Sequence, residues 1–135
     1  MDVLSRVDEV IDAAIAADPE PLGAFTRAYI DSTFSDPLLP HGSPWATLHI
    51  SLLAEPSLRR VWAKWISERL ARHRATDDGP TYEIVRLAAD GTWLAFLFRD
   101  EGGPVPDVAS LRERLLAMTA TRADDLRPQS TTATD

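Results

Sequence analysis

Apolar side chains recur along this chain at spacings of three and four residues, the period of an α-helix, and clusters of Pro, Gly and Asp cut that pattern into six segments. Asp2 caps a first helix with apolar positions at Val3, Val7, Val10, Ile11 and Ala14, which stops at Asp18-Pro19. Glu20-Pro21 opens a second, with Leu22, Phe25, Tyr29 and Ile30 on its apolar face and Arg27, Asp31 and Ser35 on its polar one. Asp36 to Gly42 reads as a loop. Ser43-Pro44 then supplies a cap and a first-turn proline for a mostly apolar helix from Trp45 to Ala54. Glu55-Pro56-Ser57 restarts the chain into a helix from Leu58 to Arg74, with Leu58, Val61, Trp62, Trp65, Ile66 and Leu70 on one side. After a turn at Thr76 to Pro80 comes the segment 81–99, which ends at Asp100-Glu-Gly-Gly-Pro104. Asp107 caps the last helix, with Val108, Leu111, Leu115, Leu116 and Met118 apolar. Strand patterning is nearly absent, so the pattern predicts an all-α domain over 1–120, followed by a polar, disordered tail over 121–135.

The segment 81–99 departs from the usual one-sided helix. Its charged residues Glu83, Arg86 and Asp90 fall on one narrow strip, which reads as solvated with a weak Glu83–Arg86 pair. Ile84, Leu87, Ala88, Gly91, Leu94, Ala95 and Phe98 make one apolar face, and Tyr82, Val85, Ala89, Trp93 and Phe96 another. A helix apolar on nearly all sides must be buried on more than one, and a chain of 135 residues has little core for two burials. The second face is therefore expected to meet another subunit. Gly91 inside this helix costs about 1 kcal/mol against Ala, which a close helix crossing or a mild kink would explain.

Composition narrows the function classes. The length suits one domain. There is no cysteine, hence no disulfide framework and no thiolate metal site. The net charge of −7 argues against these residues gripping a phosphate backbone. No signal sequence or membrane-length apolar run is present, so the expected location is the cytoplasm, with no membrane partner. No nucleophile elbow, phosphate-cradling glycine loop or paired carboxylate motif supports an enzyme. His41, His49 and His73 lack metal-ligand spacing, so neither a metal nor a cofactor is expected.

Three local stretches carry a family resemblance: Pro21-Leu-Gly-Ala-Phe-Thr-Arg-Ala-Tyr29, Ala54-Glu-Pro-Ser-Leu-Arg-Arg-Val-Trp62, and Arg86-Leu-Ala-Ala-Asp-Gly-Thr-Trp-Leu94 followed by Leu111-Arg-Glu-Arg-Leu-Leu116. With them the chain resembles, from Val3 to Ala120, the carboxy-terminal domain of TetR/AcrR-family transcriptional regulators. The resemblance implies a six-helix domain that senses a small-molecule effector. It also implies homodimerisation, with the last two helices, 81–99 and 107–120, forming an intersubunit four-helix bundle. The implied interface then comprises Ile84, Leu87, Ala88, Gly91, Leu94, Ala95, Phe98, Val108, Leu111, Leu115 and Met118. In that family a separate amino-terminal helix-turn-helix domain reads DNA. Here Met1-Asp-Val-Leu-Ser-Arg-Val7 stands where the connecting helix begins, so DNA binding is expected only through a domain absent from these residues. The rival expectations are a headless module that pairs with a full-length regulator, and a small helical carrier or enzyme.

Candidate effector-binding residues are Phe25, Tyr29, Trp45, His49, Leu52, Trp62, Trp65, Arg69 and Trp93. Trp45, His49 and Leu52 share a helix face, where His49 is either a core histidine or the polar group that orients a ligand in an apolar cavity. Trp62 and Trp65 read as core. Arg69 continues their stripe, either snorkelling to water or closing a cavity onto an anionic ligand. Phe25 and Tyr29 face the same interior, where a buried tyrosine hydroxyl needs a partner.

Overall fold

A computed structural model describes residues 3–34, 51–52, 54–98 and 101–125. Among them are six helices: α1 (Val3–Ala17), α2 (Ala24–Phe34), α3 (Pro56–Arg72), α4 (Arg74–Asp77), α5 (Pro80–Leu97) and α6 (Val108–Asp125). No strand occurs among the described residues, and the fold is all-helical as the periodicity requires. The helix expected from Trp45 lies outside the described residues, apart from its helical end at Ser51, Leu52 and Ala54. The loop 36–42, with His41, lies outside them too.

The hub is α2. It packs against α1, α4, α5 and α6, and its Phe25, Ala28, Tyr29, Ile30 and Phe34 form the centre of the core. From α1 come Leu4, Val7 and Ile11, from α3 Trp65, from α5 Val85 and Ala89, and from α6 Leu115. Val10, expected on the apolar face of α1, is exposed, because the face that meets α2 runs along Leu4, Val7 and Ile11.

Three element boundaries moved, each for a local reason. The second helix begins at Ala24 rather than at Glu20-Pro21. Gly23 there has φ +78°, and an added Cβ would lie 2.9 Å from the Arg27 guanidinium and 3.0 Å from the Tyr82 ring, so only glycine makes this turn without strain. The long helix expected to run to Arg74 breaks at His73 into α3 and α4. The break lets α4 swing back onto α2. The last helix continues through 121–125, residues expected to lie in the tail. Its start is as expected: the Asp107 carboxylate accepts the Ser110 N–H at 3.1 Å.

Candidate functional site

The start of α2 is held from a distance. Asp77, buried on α4, accepts hydrogen bonds from the Thr26 N–H at 2.8 Å and the Thr26 hydroxyl at 2.6 Å. Its other oxygen accepts from the Thr76 hydroxyl at 2.6 Å, and the Gly23 N–H donates to the Thr76 carbonyl at 3.0 Å. The first N–H groups of a helix have no intrahelical acceptor. Here a carboxylate 51 residues downstream supplies one, and its charge also suits the positive helix end.

Arg69 does not snorkel. It is only 2% exposed and is forked between two carboxylates of α1. Its guanidinium donates to Asp12 at 2.6 Å and, through two nitrogens, to Asp8. The Trp65 indole N–H donates to the same Asp8 oxygen at 2.7 Å, and the Arg69 guanidinium lies 5.9 Å from the Trp65 ring centroid. Burial works against the Arg69 charge, but the hydrogen bonds it donates to Asp12 and Asp8 more than restore it. The Arg69 hydrogen bond in turn holds the Asp12 carboxyl below its ordinary range. The sequence signal for this fork was the Asp8–Asp12 pair, one turn apart on one face of α1.

Phe25 and Tyr29 are buried in the core. The Tyr29 hydroxyl donates to the Asp90 carboxylate, which corrects the reading of Asp90 as part of a solvated strip. Burial raises the Asp90 pKa, against the hydrogen bond from Tyr29 and the charge of Arg86. His73 stacks on Phe25 with ring centroids 4.6 Å apart and planes 8° apart. Its Nε2 is buried with no hydrogen-bond partner among the described residues. Burial pushes its pKa below the ordinary value, helped by Arg69 and Arg72 and opposed by Asp77.

Of the other candidate binding residues, Trp65 belongs to the same core cluster as Phe25 and Tyr29, and Trp62 packs against it. Leu52 and Trp65 are buried and Trp62 is half-buried. The Trp62 and Trp65 rings lie 4.9 Å apart. Trp45, His49 and the Trp93 side chain lie outside the described residues. Among the described residues, cavities open on each side of α4. A cavity of about 500 Å³ is lined by the α1–α2 connection, α4, Tyr82 of α5 and the end of the α6 region 116–120. Another of about 600 Å³ lies between the end of α3, the Asp78-Gly79-Pro80 turn and Glu83 and Arg86 of α5. Arg74 and Asp78 border both. None of Phe25, Tyr29, Leu52, Trp62, Trp65 and Arg69 lines either.

The two faces of α5 have different fates. Tyr82, Val85, Ala89 and Thr92 are buried against the rest of the fold. Ile84 is 57% exposed, Leu87 53%, Leu94 42% and Phe98 55%. These four, with Gly91 between them, fall at alternating intervals of three and four and so share one stripe. Ala88 and Ala95 flank it half-buried. Among the described residues nothing lies within 4 Å of where a Gly91 Cβ would sit, so no described helix crosses there. On α6, Leu115 is buried in the protomer's own core, and Val108, Leu111 and Met118 pack partly against that core.

Among the described residues no group of His, Cys, Asp and Glu is placed to hold a metal ion, and no helix is long and apolar enough to cross a membrane. A family model described as the tetracyclin repressor-like C-terminal domain matches residues 23–120. No curated protein and no solved structure matches the chain.

Proposed function

The chain belongs to the tetracyclin repressor-like C-terminal domain family, and we propose that it is the ligand-sensing and dimerisation part of a cytoplasmic TetR-like transcriptional repressor. The family is one of regulators, not enzymes. The observation that carries the reading is the open stripe on α5. A soluble monomer rarely leaves Ile, Leu, Leu and Phe in a contiguous row on one helix. A second copy of the same stripe, related by a two-fold axis, would cover it. The exposed, open surroundings of Gly91 suit a partner backbone coming close.

Sensing then works as a population shift. An effector that binds one arrangement of the helices better than another biases the geometry of the dimer. In a regulator with DNA-reading heads, that geometry sets how far apart the two heads lie. The hub position of α2 supports such coupling, since α1, α4, α5 and α6 all rest on it.

Sedimentation equilibrium tests the dimer. The wild type is expected to run as a dimer, and Leu87→Glu as a monomer with an unchanged helical circular dichroism spectrum. A wild-type monomer, or a dimer untouched by Leu87→Glu, rejects this interface. Mixed oligomers formed with a longer homologue in preference to self-association would instead favour the headless-module reading.

A further inference from the structure

We propose that the 500 Å³ cavity between the α1–α2 connection, α4 and α6 binds an organic anion with an apolar body, and that Arg74 supplies its counter-charge. The inference rests on the ligand-sensing reading and names the site and the ligand class. The volume lies within the ordinary range of small-molecule pockets, which are apolar clefts with few polar groups. Leu22, Ala75, Tyr82 and Leu116 supply the apolar wall, and Leu22 stays 40% exposed at the cavity.

The polar groups around this wall are unequal. Arg27 is already used: it donates to Asp18 at 2.7 Å and to the Glu20 carbonyl at 2.7 Å. The Glu20 carboxylate accepts the Leu22 N–H at 3.0 Å. Asp78 is engaged within the fold. Arg74 alone of these four charged groups has no hydrogen bond or ion pair among the described residues. Arg74, exposed on α4, is thus the charge beside this apolar wall that remains available to an occupant among the described residues. The planar guanidinium fork matches a carboxylate or phosphate, whereas a cationic ligand would have to compete for carboxylates that already have partners.

The site also touches the element that holds the hub. Arg74, Ala75 and Thr76 all line the cavity, and they belong to α4, whose Thr76 and Asp77 hold the start of α2. An occupant that draws on Arg74 therefore bears on the cap of the central helix.

Calorimetric titration of the full chain with octanoate, octanol and octyltrimethylammonium tests the assignment. Octanoate is expected to bind, with Arg74→Gln weakening it at least about tenfold, the loss expected for one charged hydrogen bond. Ala120→Trp, at an exposed position on the cavity wall, is expected to abolish binding while the melting curve stays cooperative. Octanol or the ammonium binding as tightly as octanoate, with sensitivity to Ala120→Trp, would overturn the anion class and leave ligand sensing standing. Octanoate that fails to bind, or that binds both variants like the wild type, would overturn the site. A thermal-shift screen of uncharged, cationic and anionic compounds keeps the two readings apart: melting unmoved by all of them counts against sensing itself.

Discussion

Helices α2 and α5 are covered to very different extents. Read as a pattern, α2 has a polar face and should lie half in water, while α5 has two apolar faces, one of them expected to meet another subunit. In the fold, α2 is buried along most of its length and α5 leaves a full stripe open. The difference lies in how each side chain is satisfied. The polar residues of α2 are small or paired: Ser32 and Thr33 donate to the Tyr29 carbonyl at 2.9 Å. Thr26 is held by Asp77, Arg27 by Asp18, and Asp31 by Arg112 at 2.6 Å. A buried polar group costs little once it is hydrogen-bonded, so α2 can sit at the centre. The exposed face of α5 has no such local remedy, because apolar side chains are satisfied only by being covered.

Substitutions can break or sharpen this contrast. The largest effect is expected at the hub: Phe25→Ala should cost about 3–5 kcal/mol, read by urea denaturation. Leu87→Ala on the open stripe should change the stability of the dilute monomer by less than about 0.5 kcal/mol. Equal losses at both positions would mean that α5 is covered within the protomer. Next is the long-range cap. Asp77→Ala should destabilise by about 1–2 kcal/mol, with hydrogen exchange accelerating first at Thr26. Uniform acceleration through all helices would show that Asp77 holds more than the start of α2.

Gly91→Ala should have a smaller effect and the opposite sign. In open space on a helix, the added methyl group should stabilise the monomer by about 0.5–1 kcal/mol. A bulkier Gly91→Phe should weaken association without reducing helicity. If Gly91→Ala destabilises at high protein concentration but not when dilute, a partner backbone sits against it.

The smallest effect is a matter of pH. Asp90 has its pKa raised in the folded state, so its share of stability is full below the unfolded value and is lost as pH rises through the folded one. His73 has its pKa lowered, so its share is present above the ordinary histidine value and is lost as pH falls through the depressed one. Asp90→Asn keeps an acceptor for Tyr29 and removes the charge. It should be more stable than the wild type near neutral pH, and the margin should shrink as pH falls. A margin independent of pH would mean that Asp90 titrates normally and is not held in the core by Tyr29.

The sequence by itself determined the helical class, the caps and breaks at Pro56 and Asp107, and the presence of two apolar faces on α5. Each follows from local spacing, since i, i+3 and i+4 positions share a face wherever the helix sits. The family was legible in the same patterns, and the match over 23–120 agrees with them. Only the tertiary structure decided that Asp77 caps α2, that Arg69 turns inward to Asp8 and Asp12, and that Asp90 meets Tyr29. These pairs join residues 51 to 61 positions apart, and no local rule connects them. The cavities beside α4 belong to the same class. They arise where the break at His73 folds a short helix back onto the hub, and such a void is a property of how elements pack, not of the pattern within any one of them.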